Sequence, residues 1–259
     1  MSLVDAAAAG DTDALLALLA AGADPEARDD RGRTPLFRAA AAGHNATVAA
    51  LLSHGAQAEA ADSAGATPLL TAVTSQHIDT VKLLLAHGAN ADGGRRDAVT
   101  PLQFAVMGGL SDIVTVLLEH GANVDACFGL GDTPLHSAAR LGFTGMAKAL
   151  LAHGADVNRR NCYGLTPLHE ASWCSLLGAE TTVAALLAHG ADASARDRDG
   201  LTPLFIAGIS TDNLDTAAVL LSHGADANVR VRHRTPLLDD NSSCAFKSRL
   251  LAHGADRWA

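Results

Sequence analysis

Residues Asp132–Asn158 read DTPLHSAARLGFTGMAKALLAHGADVN, and this stretch decides the architecture because versions of it return along the chain. Its Thr-Pro-Leu opening recurs at Thr34, Thr67, Thr100, Thr133, Thr166, Thr202 and Thr235, at steps of 33, 33, 33, 33, 36 and 33 residues. A fixed period of this size marks a solenoid. One such unit cannot bury its own apolar face, so copies stack and each covers the next.

The chemistry inside one period predicts two helices and a turn. Thr is a helix-capping residue, and Pro in the first helical turn costs nothing because that N–H has no intrahelical partner. Leu36, Leu69, Leu102, Leu135, Leu168 and Leu204 follow the Pro and are expected to point into the stack. A second helix carries paired leucines near its end, as at Leu51-Leu52, Leu84-Leu85, Leu117-Leu118 and Leu150-Leu151. A Gly then closes that helix, an extended finger follows, and Gly32, Gly65, Gly131, Gly164 or Gly200 turns the finger back through a positive φ. The third internal copy has Ala98 at the turn and Gly93-Gly94 upstream, so an irregular finger is expected there.

The pattern resembles the ankyrin repeat, with its T-P-L-H-x-A-A first helix and closing G-A-D-V-N. The match is close at Thr133 (TPLHSAA) and Thr166 (TPLHEAS), and it extends over essentially the whole chain. The resemblance implies an all-α solenoid, an array of stacked helix pairs with short β-hairpin-like fingers, forming a single domain over 1–259. Residues 1–28 would be an N-terminal cap, with internal repeats at 29–61, 62–94, 95–127, 128–160, 161–196 and 197–230. Residues 231–259 would be a C-terminal cap. Asp239, Asp240 and Asn241 are expected to face water there, since burying them unpaired is costly.

Composition narrows the function. The net charge of −9 argues against general affinity for nucleic acid or acidic membranes. The longest apolar runs, such as Ala14–Ala21, are too short to span a bilayer, and the N-terminus has no secretion signal. Cys127, Cys162, Cys174 and Cys244 have no regular spacing and read as reduced thiols, consistent with a cytoplasmic monomer. No metal or cofactor is expected. Seven of the twelve histidines (His54, His87, His120, His153, His189, His223 and His253) precede the helix-ending Gly, where an imidazole can bond terminal carbonyls. Packed helices hold such residues about 10 Å apart, whereas metal ligands converge to about 2 Å from one ion. Cys162, Cys174 and His169 lie near one another in sequence, but there is no phosphate loop, H-E-x-x-H or G-x-S-x-G, so an enzyme is disfavoured.

The departures from the repeat point to a surface. In ankyrin-repeat proteins the finger tips and the exposed face of the first helix bind partners. The resemblance carries those positions onto Leu130, Arg140 and Leu141 in the fourth internal repeat, and onto Cys162, Tyr163, Leu165, Trp173 and Cys174 in the fifth. Tyr163 is the chain's one Tyr and Trp173 one of two Trp. The alternative for Trp173 is that it packs under the three-residue insertion around Leu176-Leu177. Twelve of sixteen Arg fall in fingers. One reading has neighbouring Asp (Asp29, Asp30, Asp97, Asp197, Asp199) neutralising them for solubility. Another has Arg160, Arg196 and Arg198 forming the rim of a protein site. An alternative function is binding of nucleic acid or another polyanion along the Arg-rich fingers.

Overall fold

The computed structural model describes residues 1–94, 99–174, 178–210, 213–228 and 244–253. They gather into two compact units, Met1–Phe128 and Gly129–Ala259. The first contains α1 (Leu3–Ala9), α2 (Thr12–Ala20), α3 (Pro35–Ala42), α4 (Asn45–Ser53), α5 (Pro68–Thr74), α6 (Ile78–Ala86), α7 (Pro101–Met107) and α8 (Ser111–Glu119). The second contains α9 (Pro134–Arg140), α10 (Thr144–Ala152), α11 (Pro167–Trp173), α12 (Ala179–Ala188), α13 (Pro203–Ser210), α14 (Leu214–Ser222) and α15 (Cys244–Ala252). Among the described residues no strand forms; the architecture is an all-α solenoid of repeated helix pairs.

Helices of this length are marginal in water alone, so caps and stacking hold them. Thr34, Thr67, Thr100 and Thr202 each accept a backbone N–H three residues on, at 3.2, 3.2, 3.2 and 3.3 Å. At the N-terminus, where no Thr-Pro-Leu exists, Ser2 and Asp5 form a reciprocal capping box, and Asp11 caps α2 through Ala14 N–H. In the first unit α1, α3, α5 and α7 stack in one layer and α2, α4, α6 and α8 in the other. In the second, α9, α11 and α13 form one layer and α10, α12, α14 and α15 the other. Leu36, Leu69, Leu102, Leu135 and Leu168 are fully buried, as are Leu51, Leu84, Leu117, Leu150 and Leu186 on the second helices. Each such side chain contributes about 1.5–3 kcal/mol by leaving water.

The histidine ladder is a set of helix terminators. Nδ1 of His54, His87, His120, His153, His189 and His223 lies 2.8–2.9 Å from the carbonyl four residues back. A carbonyl only accepts, so Nδ1 carries the proton in each.

The segment that opens with the closing Gly-Ala has a second task. Glu26, Glu59 and Asp92 accept the backbone N–H of Gln57, Asn90 and Asn123 in the following repeat at 2.8, 2.9 and 2.9 Å. Asn158 does the same for Asp192 at 2.9 Å. These bonds stitch one repeat to the next with side chains that the local pattern does not mark as structural.

At the C-terminal end, the Phe246 ring is fully buried against Gly208 of α13. A Cβ on Gly208 would fall 2.5 Å from that ring. The irregular finger at Ala98, the insertion at Leu176-Leu177, and Asp239, Asp240 and Asn241 lie outside the described residues.

Candidate functional site

Two fingers of the second unit are built on an Asx turn. Asn161 Oδ1 accepts the backbone N–H of Tyr163 and Leu165 at 2.9 and 3.0 Å, and Gly164, at φ +75°, closes the turn. Asp197 repeats the device with Asp199 and Leu201 at 2.9 and 2.8 Å. In the first unit Asp29 and Asp62 do the same. Adjacent fingers are then joined tip to tip: Cys162 N–H donates to the Leu130 carbonyl at 2.7 Å, and Arg198 N–H to the Tyr163 carbonyl at 3.0 Å. Leu130 and Tyr163 both stand three residues before a capping Thr. This bonding therefore presents them in register on successive tips.

The second unit exposes large apolar side chains on two of these tips and at the end of α11. Leu130 is 53% exposed, Tyr163 54% and Trp173 47%. Trp173 is thus at the surface. It ends α11 seven residues after Thr166, the position that Arg140 holds relative to Thr133 on α9.

Three of the expected surface residues are less available. Leu165 is half-buried and is tied into the finger, its N–H held by Asn161 and its carbonyl accepting His136 Nε2–H at 3.1 Å. Leu141 is half-buried at the end of α9. Cys174 is buried: α11 ends with it in an extended conformation (φ −69°, ψ 118°), which turns its side chain inward, and its carbonyl accepts Asn213 Nδ2–H at 3.4 Å. Cys162 is exposed.

Under the exposed side chains lies a polar brace. Arg140 Nη1 stands 2.9 Å from Asp132 Oδ2 and 3.2 Å from Glu170 Oε1, and Asp132 Oδ1 accepts Asn161 Nδ2–H at 2.8 Å. One guanidinium thus joins the finger base, α9 and α11. Burial pushes the Glu170 carboxyl above its ordinary range, Arg140 pulls it down and Asp132 adds to the rise. A charge buried with one imperfect partner is held by geometry, not by surplus Coulomb energy.

Several of the finger arginines act as braces. Arg28 Nη1 donates to the carbonyls of Gly32 and Ala61, both at 2.7 Å. Arg160 Nη2 donates to the Arg196 carbonyl, and Arg196 Nη1 to the Gly200 carbonyl at 3.2 Å. Arg33 pairs with Asp29 at 2.8 Å, and that bond holds the Asp29 carboxyl well below the usual range. Neutralisation by a neighbouring Asp therefore describes Arg33, while Arg28, Arg160 and Arg196 spend donors on backbone carbonyls. Arg95, Arg96, Arg230, Arg232 and Arg234 lie outside the described residues.

His136 and His169 are structural. Each Nδ1 accepts from the N–H of its capping Thr (3.2 Å from Thr133, 3.1 Å from Thr166). Each Nε2–H donates to the next finger, to Leu165 at 3.1 Å and Leu201 at 3.2 Å. Burial lowers both imidazoles below their ordinary pKa, which keeps them neutral. Among the described residues no three His, Cys, Asp or Glu side chains gather as metal ligands would. None of the described helices is long and apolar enough to cross a membrane.

A second apolar patch escaped the sequence reading. Phe104 and Met107 are 36% and 51% exposed on α7 of the first unit. The signal was present: the same positions in the two preceding repeats hold Arg38 and Ala41, then Thr71 and Thr74.

The comparisons with known proteins agree with this geometry. The family model described as ankyrin repeats (3 copies) matches residues 3–97, 58–129, 102–197 and 164–231. The human ASB11 ankyrin repeat domain, a crystal structure, is similar with a TM-score of 0.69 and 29% identity, covering 87% of this chain and 99% of that one. No curated protein matches the chain by sequence.

Proposed function

The chain belongs to the ankyrin-repeat family, and on that premise we propose that it is a non-catalytic protein-interaction module whose partner docks across Leu130, Tyr163 and Trp173. Ankyrin repeats are generally protein-interaction modules, and the family is typically non-catalytic. The observation that carries the finer reading is the exposure of three large apolar side chains on one unit, two of them at finger-tip positions where other repeats hold small or charged residues. Arg31, Ala64 and Asp199 stand where Leu130 and Tyr163 stand, and Ala41, Thr74, Met107, Arg140 and Ile209 where Trp173 stands. Exposed aromatic residues rimmed by arginine are the composition that interfaces favour. The same reading takes the protein as a cytoplasmic monomer, with Cys127, Cys162 and Cys174 unpaired as thiols are in a reducing compartment.

An aromatic anchor buried by a partner contributes about 2 kcal/mol, roughly 30-fold in affinity. The double substitution Tyr163→Ala/Trp173→Ala is therefore expected to reduce partner capture from an extract of the source organism by well over tenfold, with the circular dichroism unchanged. Quantitative comparison of proteins retained by the two forms checks this. If every protein held by the wild type is held equally by the variant, the surface is elsewhere.

A further inference from the structure

The helix that carries Trp173 also carries a carboxylate whose charge is only half compensated. Glu170 stands three residues before Trp173 on α11, so the two side chains are neighbours on one face of that helix. The Glu170 side chain is 7% exposed, and its Oε1 lies 3.2 Å from the Arg140 guanidinium. The same Arg140 nitrogen stands closer to Asp132, at 2.9 Å. Two carboxylates thus share one guanidinium, which leaves one negative charge uncompensated. Asp132 also accepts Asn161 Nδ2–H, whereas among the described residues no hydrogen-bond donor meets Glu170 Oε2. Arg140 and Asp132 act on the Glu170 carboxyl with opposite sign, so burial keeps it raised above the ordinary range. The fingers do not supply the missing cation, because at 156–165 and 192–201 four Asp offset four Arg. Nor does stacking require an acid here: the other internal repeats hold Arg38, Thr71, Phe104, Ser137 and Ile206 at this position.

We propose that the protein partner places a Lys or Arg side chain here: its cationic head bonds Glu170 Oε2, its stem lies on the Trp173 ring, and apolar residues beside it cover Leu130 and Tyr163. The assignment rests on the docking surface proposed above and adds the partner's chemistry. Residues three apart on a helix stand about 5–6 Å apart at Cβ, and an indole face attracts a cation within about 6 Å. One side chain therefore serves both groups, its methylenes on the ring and its head at the carboxylate. The bond is charge-assisted and completes a buried acid that its own fold leaves short of a partner. Arg140 repels a second cation, but Glu170 and Asp132 outnumber it. An acidic side chain in the same place would meet both carboxylates. The wider field has the same sign, since a net charge of −9 favours the approach of a basic segment.

Selection of a random 12-residue peptide display library on the full chain tests the proposal. The expected result is enrichment of sequences with Lys or Arg within three positions of an aromatic or leucine residue, bases outnumbering Asp and Glu there by about tenfold. Selection on Glu170→Gln, which keeps an oxygen for Arg140, should bring that ratio to about one and keep the apolar preference. Trp173→Leu keeps an apolar side chain and removes the indole; it should lower the ratio by about threefold or more. It also gives a second reading should Glu170→Gln disturb α11. Glu119→Gln removes the same charge from an exposed site on α8 and should leave the ratio unchanged. A basic preference that survives Glu170→Gln or Trp173→Leu, or that falls equally in Glu119→Gln, overturns this inference. So does apolar enrichment without bases. Each of these results leaves the docking surface standing. Apolar enrichment that persists in Tyr163→Ala/Trp173→Ala overturns the docking surface itself, and no enrichment overturns both.

Discussion

Replacing His169 with alanine is expected to lower the unfolding free energy by roughly 2–4 kcal/mol at pH 7, more than any surface change discussed above. The imidazole makes three contacts that alanine cannot. Its Nδ1 accepts Thr166 N–H at 3.1 Å and faces the Thr166 hydroxyl at 2.8 Å, while Nε2–H donates to the Leu201 carbonyl of the next finger at 3.2 Å. Removing it leaves a buried N–H and a carbonyl without that partner and weakens the cap of α11. His136→Ala removes the equivalent set on α9 and should cost a similar amount. Urea denaturation at pH 7 measures both.

The same side chains set a pH dependence whose sign follows from their burial. Both imidazoles have a folded pKa below the ordinary 6.5. Between the folded and unfolded pKa values the unfolded chain binds more protons, so stability falls as pH falls. Their contribution is complete above about pH 6.5 and is lost progressively below it, at up to ~1.4 kcal/mol per pH unit for each histidine. Glu170 acts oppositely. Its folded pKa is raised above 4.5, so the folded state takes up the proton first and gains relative stability as pH falls through that window. The wild type should therefore lose stability from pH 7 toward pH 5, and the double variant His136→Ala/His169→Ala should show a flatter profile over that range. Equal slopes would mean that neither histidine is held neutral by the fold.

The second large effect is expected at Gly43, which caps α3. Its φ is +72°, and a Cβ there would lie 2.7 Å from the His77 ring of the next repeat. Gly43→Ala combines about 1 kcal/mol of left-handed backbone strain with about 1–3 kcal/mol of overpacking, roughly 2–4 kcal/mol in all. Gly88 separates the two contributions. It has a similar φ of +83°, with nothing within 4 Å of an added Cβ, so Gly88→Ala should show the backbone cost alone. In a His77→Ala background, Gly43→Ala should fall to the Gly88→Ala value. A double-mutant cycle in urea reports this as a coupling of 1 kcal/mol or more; zero coupling would show that the ring moves aside without cost.

Much of the scaffold was legible because it is local. A capping Thr, a Pro in the first turn, a Gly at positive φ and a His bonding back four residues each complete their chemistry within one turn. Thr34, Gly32 and His54 therefore read correctly in isolation. Other roles were illegible because their partner is about one repeat away. Nothing local tells that Glu26 holds Gln57, that Asn158 holds Asp192, or that Arg28 braces a carbonyl of the next finger. Cys174 was misread as surface because the helix register alone does not say where α11 leaves its regular path.

For the candidate site, the sequence by itself determined which residues break the repeat: Leu130, Tyr163 and Trp173 are conspicuous against their counterparts before any coordinate is known. Only the tertiary structure decided which of the surrounding residues are available. Stacking consumes backbone and side-chain donors across repeats, so Leu165 is absorbed into the finger, Arg160 is pinned, and Arg198 is left outward. A period written in the sequence states what recurs. Which side chain remains for a partner depends on what its neighbour one repeat away has already taken.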